Sequence, residues 1–173
     1  MLEVANFISV LPLYYIICII IILVYGFIIQ NKLWKSLLIY FIGLLFALFL
    51  PALIKSITSI LKIKNKSFYR PNGAKGCDFQ SMKGIAKPFT PGFPSGHMTI
   101  TSFVIIFNIL MIFDNKNSKI SKNQKYVLIF INVFIIIFMS WARHYKKCHN
   151  VFQIISGILL GAVISKITFN MLK

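Results

Sequence analysis

Acidic residues are nearly absent from this sequence. Among its 173 residues the only acids are Glu3, Asp78 and Asp114. Hard cations such as Mg²⁺ are bound by clusters of carboxylates, and three scattered acids cannot build one. Zinc is equally unsupported, because the three histidines and three cysteines show no paired ligand spacing. The sequence therefore predicts no metal and no cofactor, so any chemistry is expected to be metal-independent.

Charged side chains are also missing from two long stretches. Charged residues make up 13% of the chain and hydrophobic residues 58%, whereas a soluble domain has about 25% charged residues. Residues 4–31 and 36–54 carry no charge at all, and roughly 20 apolar residues suffice to span a bilayer. The first stretch lacks a basic N-terminal flank, so we expect it to stay as a membrane anchor rather than be cleaved.

These patterns predict an all-α fold, a polytopic membrane helix bundle with about five transmembrane helices in one domain over residues 1–173. The predicted spans are 7–30, 37–54, 94–113, 126–142 and 150–172. An odd number of spans places the loop 55–94 and the segment 143–149 on the side of the N-terminus. Glu3 precedes the first span and Lys32 and Lys35 follow it, which favours a lumenal or extracytoplasmic position for that side.

The bases outnumber the acids by 19 to 3, which gives a net charge of +16. In a soluble protein this excess would suggest nucleic acid as the partner. Here the bases lie in short loops between predicted spans, where they meet lipid headgroups and anionic ligands. We therefore expect membrane lipids as partners and no nucleic acid, while the sequence leaves the oligomeric state open.

The stretch Pro94-Ser95-Gly96-His97 joins a polar loop to an apolar run. Proline suits the first turn of a helix, and the N–H groups of Ser95, Gly96 and His97 would then be unpaired donors at the positive end of the helix dipole. His97 adds a side chain that exchanges a proton near neutral pH. The motif is typical of an anion site, and the alternative is a helix cap with an incidental histidine.

A second polar group begins at Arg143, which is followed after five residues by His149. Gln153 lies one helical turn beyond His149, so the two side chains can meet. Gly157 and Gly161 continue the same face as a Gly-x-x-x-Gly element that lets another helix pack closely. The alternative is a basic loop that simply flanks two spans.

Together the motifs resemble the type 2 phosphatidic acid phosphatase superfamily, which also contains the vanadium haloperoxidases. The family pattern is a Lys, six residues and Arg-Pro; then Pro-Ser-Gly-His; then Ser-Arg, five residues, His, three residues and Asp. This chain offers Arg70-Pro71, Pro94 to His97, and Arg143 with His149, so the resemblance covers about residues 62–161.

The resemblance implies a role for each matching residue. His149 would be the nucleophile that forms a phosphohistidine, and His97 the general acid that protonates the leaving oxygen. The phosphate oxygens would be held by Arg70, Arg143, Ser95, Gly96 and a loop lysine. Two arginine forks suit this task, since phosphoryl transfer rests mainly on positioning and on stabilising charge on the equatorial oxygens.

Three positions depart from the family pattern. The family Asp that orients the nucleophile is Gln153 here. The dolichyl diphosphatase-like enzymes, which this chain resembles at that position, also tolerate Gln. Strict spacing puts the family Lys at Ile63, so Lys62 or Lys64 must substitute, with Lys62 preferred. Ser140 is not adjacent to Arg143. The five predicted spans also compare with six in the usual family member.

The sequence therefore predicts a membrane-embedded, metal-independent phosphatase whose substrate is a lipid phosphate, of the polyisoprenyl diphosphate or phosphatidic acid type. The alternative is a catalytically silent protein that binds lipid phosphates or is structural. Cys77 and Cys148 lie on the two loops of the predicted site, and they could pair as a disulfide if that side is extracytoplasmic.

Overall fold

The computed structural model describes residues 34–63, 65–74, 77, 90–114 and 121–173. The predicted first span, 7–30, lies outside these ranges. Within them the chain forms four long helices and no strand: α1 (Trp34–Ile60), α2 (Gly96–Asp114), α3 (Lys122–Tyr145) and α4 (Val151–Met171). A 3-10 turn (Lys66–Phe68) and an isolated antiparallel bridge between Tyr69 and Pro91 shape the loop between α1 and α2. The all-α prediction is confirmed.

All four described helices are long and apolar enough to cross a membrane. They match four of the predicted spans and are compatible with a multi-pass membrane protein. Helix α3 is the least covered by its neighbours, with only 11% of its apolar window buried. An aromatic row along it, from Phe130 (70% exposed) to Tyr145 (44% exposed), faces outwards. Such a surface suits contact with lipid.

The helices extend beyond the apolar runs that predicted them. Helix α1 ends at Ile60 rather than Ile54, and the hydroxyls of Ser56 and Thr58 donate to the carbonyls four residues earlier, at 3.0 and 2.8 Å. Helix α3 begins after Ser121, whose capping box with Gln124 fixes the first turn. The apolar runs therefore mark the part that suits the bilayer, while caps and local hydrogen bonds set the helix ends.

Helices α2 and α4 form the most extensive contact in the described part of the bundle. The contact uses the predicted Gly-x-x-x-Gly element. A Cβ at Gly157 would lie 2.6 Å from the carbonyl oxygen of Ser95 and 2.9 Å from Cβ of Met98. Gly161 faces Thr99 and Ser102 in the same way. Because no side chain intervenes, the start of α2 packs directly on α4, which brings His97 and His149 to one end of the bundle.

Candidate active site

One cavity of about 410 Å³ collects residues from α1, from the first turns of α2 and from two loops. It brings together the C-terminal half of α1, the N-terminal end of α2 and His149, which lies just before the N-terminal end of α4. The two histidine segments therefore do lie on the same side of the bundle. The lining residues are Leu48, Pro51, Ala52, Lys55, Arg70, Cys77, Gly96, His97, Ile100 and His149.

His149 lies just before α4 and is almost fully buried. Its Nδ1 is 3.0 Å from Oε1 of Gln153. The amide of Gln153 is oriented by its other end, because Nε2 donates to the carbonyls of Ser67 and Tyr69, both at 2.8 Å. Oε1 is therefore the acceptor, and the Nδ1–H of His149 donates the hydrogen bond. This tautomer leaves the lone pair on Nε2 of His149, as a nucleophile requires.

The fit around Gln153 is close on its other side as well. A Cβ at Gly92 would lie 2.6 Å from Oε1 of Gln153, so a side chain at position 92 would displace the carboxamide. Asn150 caps α4 by accepting from the Gln153 N–H at 2.9 Å. The backbone before α2 and the cap of α4 thus hold this side chain in place.

Burial lowers the pKa of His149 well below its ordinary value of 6.5. The positive charges of Arg143, Lys55 and Arg70 act in the same direction, and the hydrogen bond to Gln153 opposes them. All of these cations disfavour the imidazolium. The neutral, nucleophilic form of His149 therefore persists into acidic solution.

His97 is buried in the first turn of α2 and lines the same cavity. The helix begins at Gly96 rather than at Pro94. Ser95 acts as its cap, since Oγ accepts from the Met98 N–H at 3.5 Å. The Ser95 N–H donates to the carbonyl of Gln153 at 3.1 Å. The expectation that this N–H is an unpaired donor is therefore wrong.

Ser95 is fully buried and is not among the residues that line the cavity, whereas Gly96 is. The role of Ser95 as a phosphate ligand stays a prediction.

The two arginines differ in how they reach the site. Arg70 lines the cavity, and its backbone N–H donates to the carbonyl of Thr90 at 2.9 Å. Arg143 is fully buried on the last turn of α3 and is not part of the lining. Its Nη2 donates to the carbonyl of Cys77 at 2.7 Å. Arg143 therefore supports the cavity wall from behind while its charge acts on His149.

The lysine that lines the cavity is one that sequence reasoning did not choose. Lys62 is exposed just beyond the end of α1 and does not line the cavity, and Lys64 lies outside the described residues. The cavity instead contains Lys55, whose Nζ is 3.8 Å from the position of a Cβ at Gly96. The family spacing between Lys and Arg-Pro led to a lysine on the loop after the predicted span. Helix α1 instead continues to Ile60, so Lys55 belongs to the helix. Its place as the first charge after the apolar run was the available signal.

Cys77 and Cys148 form a disulfide, with their Cα atoms 5.3 Å apart. Both are buried in a small cluster with Ala74. The bond joins the loop that carries Arg70 to the residue before His149. It therefore fixes two sides of the cavity to each other.

Among the described residues, no group of three or more His, Cys, Asp or Glu side chains could hold a metal ion. The metal-independent chemistry expected from the sequence stays a prediction.

The fold and its cavity define an all-helical bundle with two histidines, a lysine and an arginine around one space. The chain belongs to the PAP2 superfamily, whose family model matches residues 36–173. That range holds α2, α3, α4, all but the first two residues of α1, and every lining residue of the cavity. Membership indicates a phosphatase that acts on phosphate esters. Comparison with curated proteins and with solved structures found no match.

Proposed function

We propose that this protein is a membrane-embedded lipid phosphate phosphatase that works through a phosphohistidine intermediate. The supporting observation is the cavity, in which the cations Lys55 and Arg70 and the histidines His97 and His149 share one space with an apolar wall. A phosphate group suits the cations and an apolar tail suits the wall. Lys55 and most of the apolar wall belong to α1 and α2, which are able to cross a membrane, and Arg70 lies on the loop between them.

The proposed reaction begins when the Nε2 lone pair of His149 attacks phosphorus. A nitrogen–phosphorus bond forms and the bond to the leaving oxygen breaks, so that oxygen keeps the electron pair and takes a proton from protonated His97. Water then attacks the phosphorus of the phosphohistidine and gives a proton to His97. The phosphorus–nitrogen bond breaks, its electron pair returns to Nε2 of His149, and phosphate is released. Arg70 and the Gly96 backbone would hold the equatorial oxygens, where charge accumulates.

Among lipid phosphates, a polyisoprenyl diphosphate is favoured over phosphatidic acid. The argument is Gln153, which stands where the family pattern has Asp. A glutamine at this position is a point of resemblance to the dolichyl diphosphatase-like enzymes. An amide fixes the tautomer of His149 through its 3.0 Å contact but cannot stabilise an imidazolium as a carboxylate does. A diphosphate offers a better leaving group than an alcohol, which eases the demand on the nucleophile.

The site is proposed to face the lumen or the exterior. Structural disulfides persist in oxidising compartments, and the Cys77–Cys148 bond lies at the site. This agrees with the charge difference across the predicted first span.

The test is phosphate release by the purified protein in detergent with EDTA present. Polyisoprenyl diphosphate and phosphatidic acid are the substrates, and His149→Ala and His97→Ala are compared with the parent. His144→Ala is the matched control, because His144 is exposed and lies five residues before His149. We expect turnover that survives EDTA, disappears in the two site variants and continues in the control.

The competing function is a silent protein that binds lipid phosphates without turnover, which the loss of the family Asp favours. Binding of both lipids by a folded parent, with no phosphate release from either, would support it and overturn the phosphatase.

A further inference from the structure

Helix α1 turns one face to the cavity, and that face changes in character along its length. Leu48, Pro51, Ala52 and Lys55 all line the cavity, at spacings that place them on one side of a helix. The first three are apolar and Lys55 is the last. The cavity wall thus passes from apolar to cationic as it approaches the end of α1.

Helix α2 shows the same order on the facing wall. His97 lines the cavity in the first turn, and Ile100 lines it one turn deeper. The ammonium of Lys55 is 3.8 Å from the Cβ position of Gly96, so it lies beside that first turn. Lys55 therefore occupies the place where the apolar lining gives way to the two histidines.

We propose that Lys55 binds the phosphate that is bonded directly to the lipid, and that it makes the site prefer a lipid diphosphate to the monophosphate with the same tail. The inference rests on the proposed function. A lipid whose tail follows the apolar residues of α1 reaches Lys55 with its first phosphate. Its terminal phosphate then lies between Arg70 and His149.

The two substrates differ in the charge that leaves. In a diphosphate, Nε2 of His149 attacks the terminal phosphorus, and the bond from that phosphorus to the bridging oxygen breaks. The oxygen keeps the electron pair and receives the proton of His97, so the leaving group is a charged lipid monophosphate beside Lys55. From a monophosphate the leaving group is a neutral alcohol, which gives Lys55 no comparable charge to stabilise. A fixed cation helps most where charge develops during the reaction.

The opposing possibility is that Lys55 holds the terminal phosphate, as the lysine of the family motif would. In that case removal of the Lys55 charge would lower the activity on both substrates by the same factor. The ratio of the two activities therefore separates the possibilities.

The experiment compares kcat/KM for farnesyl diphosphate and farnesyl monophosphate. Lys55→Met removes the charge at similar length, and Lys122→Met is the matched control because Lys122 is exposed at the start of α3 and outside the cavity. In Lys55→Met we expect the diphosphate-to-monophosphate ratio to fall about tenfold or more, the size of one hydrogen bond to a charged group. Lys122→Met should keep the parent ratio, and Lys55→Arg should retain more of it than Lys55→Met.

An equal loss on both substrates, or an unchanged ratio, would overturn the inference. Thermal melting without ligand checks that each variant is folded, and Lys55→Gln replaces Lys55→Met if the latter does not fold. Turnover by the parent reports on the proposed function separately.

If the parent hydrolyses neither substrate, the proposed function fails. The inference is then judged by the melting shifts that a farnesyl methylenebisphosphonate and a farnesyl phosphonate produce. A larger bisphosphonate shift that Lys55→Met abolishes would support it, and equal shifts would overturn it.

Discussion

Oε1 of Gln153 lies 3.0 Å from Nδ1 of His149, while Nε2 of the same amide donates to the carbonyls of Ser67 and Tyr69. One side chain therefore joins His149 to the loop that carries Arg70. A carboxylate at this position could accept from His149 but has no hydrogen to donate to the two carbonyls. In this chain the glutamine orients the histidine and also anchors the loop that carries Arg70.

Gln153→Glu tests that double role, since it changes only the donor end. A carboxylate oxygen would face the carbonyls of Ser67 and Tyr69 without a proton between them. We expect the free energy of unfolding to fall by about 1–3 kcal/mol, the cost of leaving buried polar groups unsatisfied, together with a loss of activity. Thermal unfolding and kcat/KM measure the two effects.

The matched control is Gln124→Glu in the exposed capping box of α3, where glutamate serves as well as glutamine. That variant should melt like the parent. A Gln153→Glu variant as stable and active as the parent would contradict the double role.

The acidic limb of the pH–rate profile is expected to lie below pH 6.5. Burial and the nearby cations hold the pKa of His149 below that value, so His149 stays unprotonated and reactive as the pH falls. Lys55→Met removes one of these positive charges. The pKa of His149 should then rise and the acidic limb should move to higher pH.

The measurement is kcat/KM against pH for the parent, Lys55→Met and the control Lys122→Met. Only the first variant should shift. A limb that stays in place in Lys55→Met would show that Lys55 does not act electrostatically on His149.

Loss of the disulfide is expected to weaken both the fold and the site. Cys77→Ser combined with Cys148→Ser releases a link between residues 71 positions apart, and native cross-links contribute roughly 2–4 kcal/mol. The carbonyl of Cys77 also accepts from Arg143, so activity should fall as well. Melting temperature and phosphate release, each with and without a reductant, measure these effects.

Cys18→Ser is the matched control, because it removes the remaining cysteine and leaves the pair intact. It should respond to the reductant as the parent does. Alkylation of three thiols rather than one in the unreduced parent would contradict the disulfide.

Local patterns in the sequence were enough for the class of fold and for most of the site. Apolar runs of membrane-spanning length predicted four of the helices, because hydropathy acts on each segment separately. The one-turn spacing of His149 and Gln153 predicted their contact, because helix geometry fixes it. The paired histidines and Arg70 likewise followed from short motifs.

The sequence did not indicate that Lys55 lines the cavity or that the Ser95 N–H already has an acceptor. The end of α1 depends on side-chain hydrogen bonds beyond the apolar run, and this extension carries Lys55 into the cavity. The Ser95 N–H donates to Gln153, a residue 58 positions later in the chain. Neither contact leaves a signal in the spacing of residues.

By itself, the sequence determined a helical membrane bundle, the two histidines and the scarcity of carboxylates. These follow from residue type and local periodicity. Tertiary packing alone decided that Lys55 lines the cavity and that the Ser95 N–H donates to Gln153. It also decided that Cys77 and Cys148 lie close enough to bond. The close contact of α2 with α4 at Gly157 brings together segments that are distant in the chain, and only that approach sets their side chains at bonding distance.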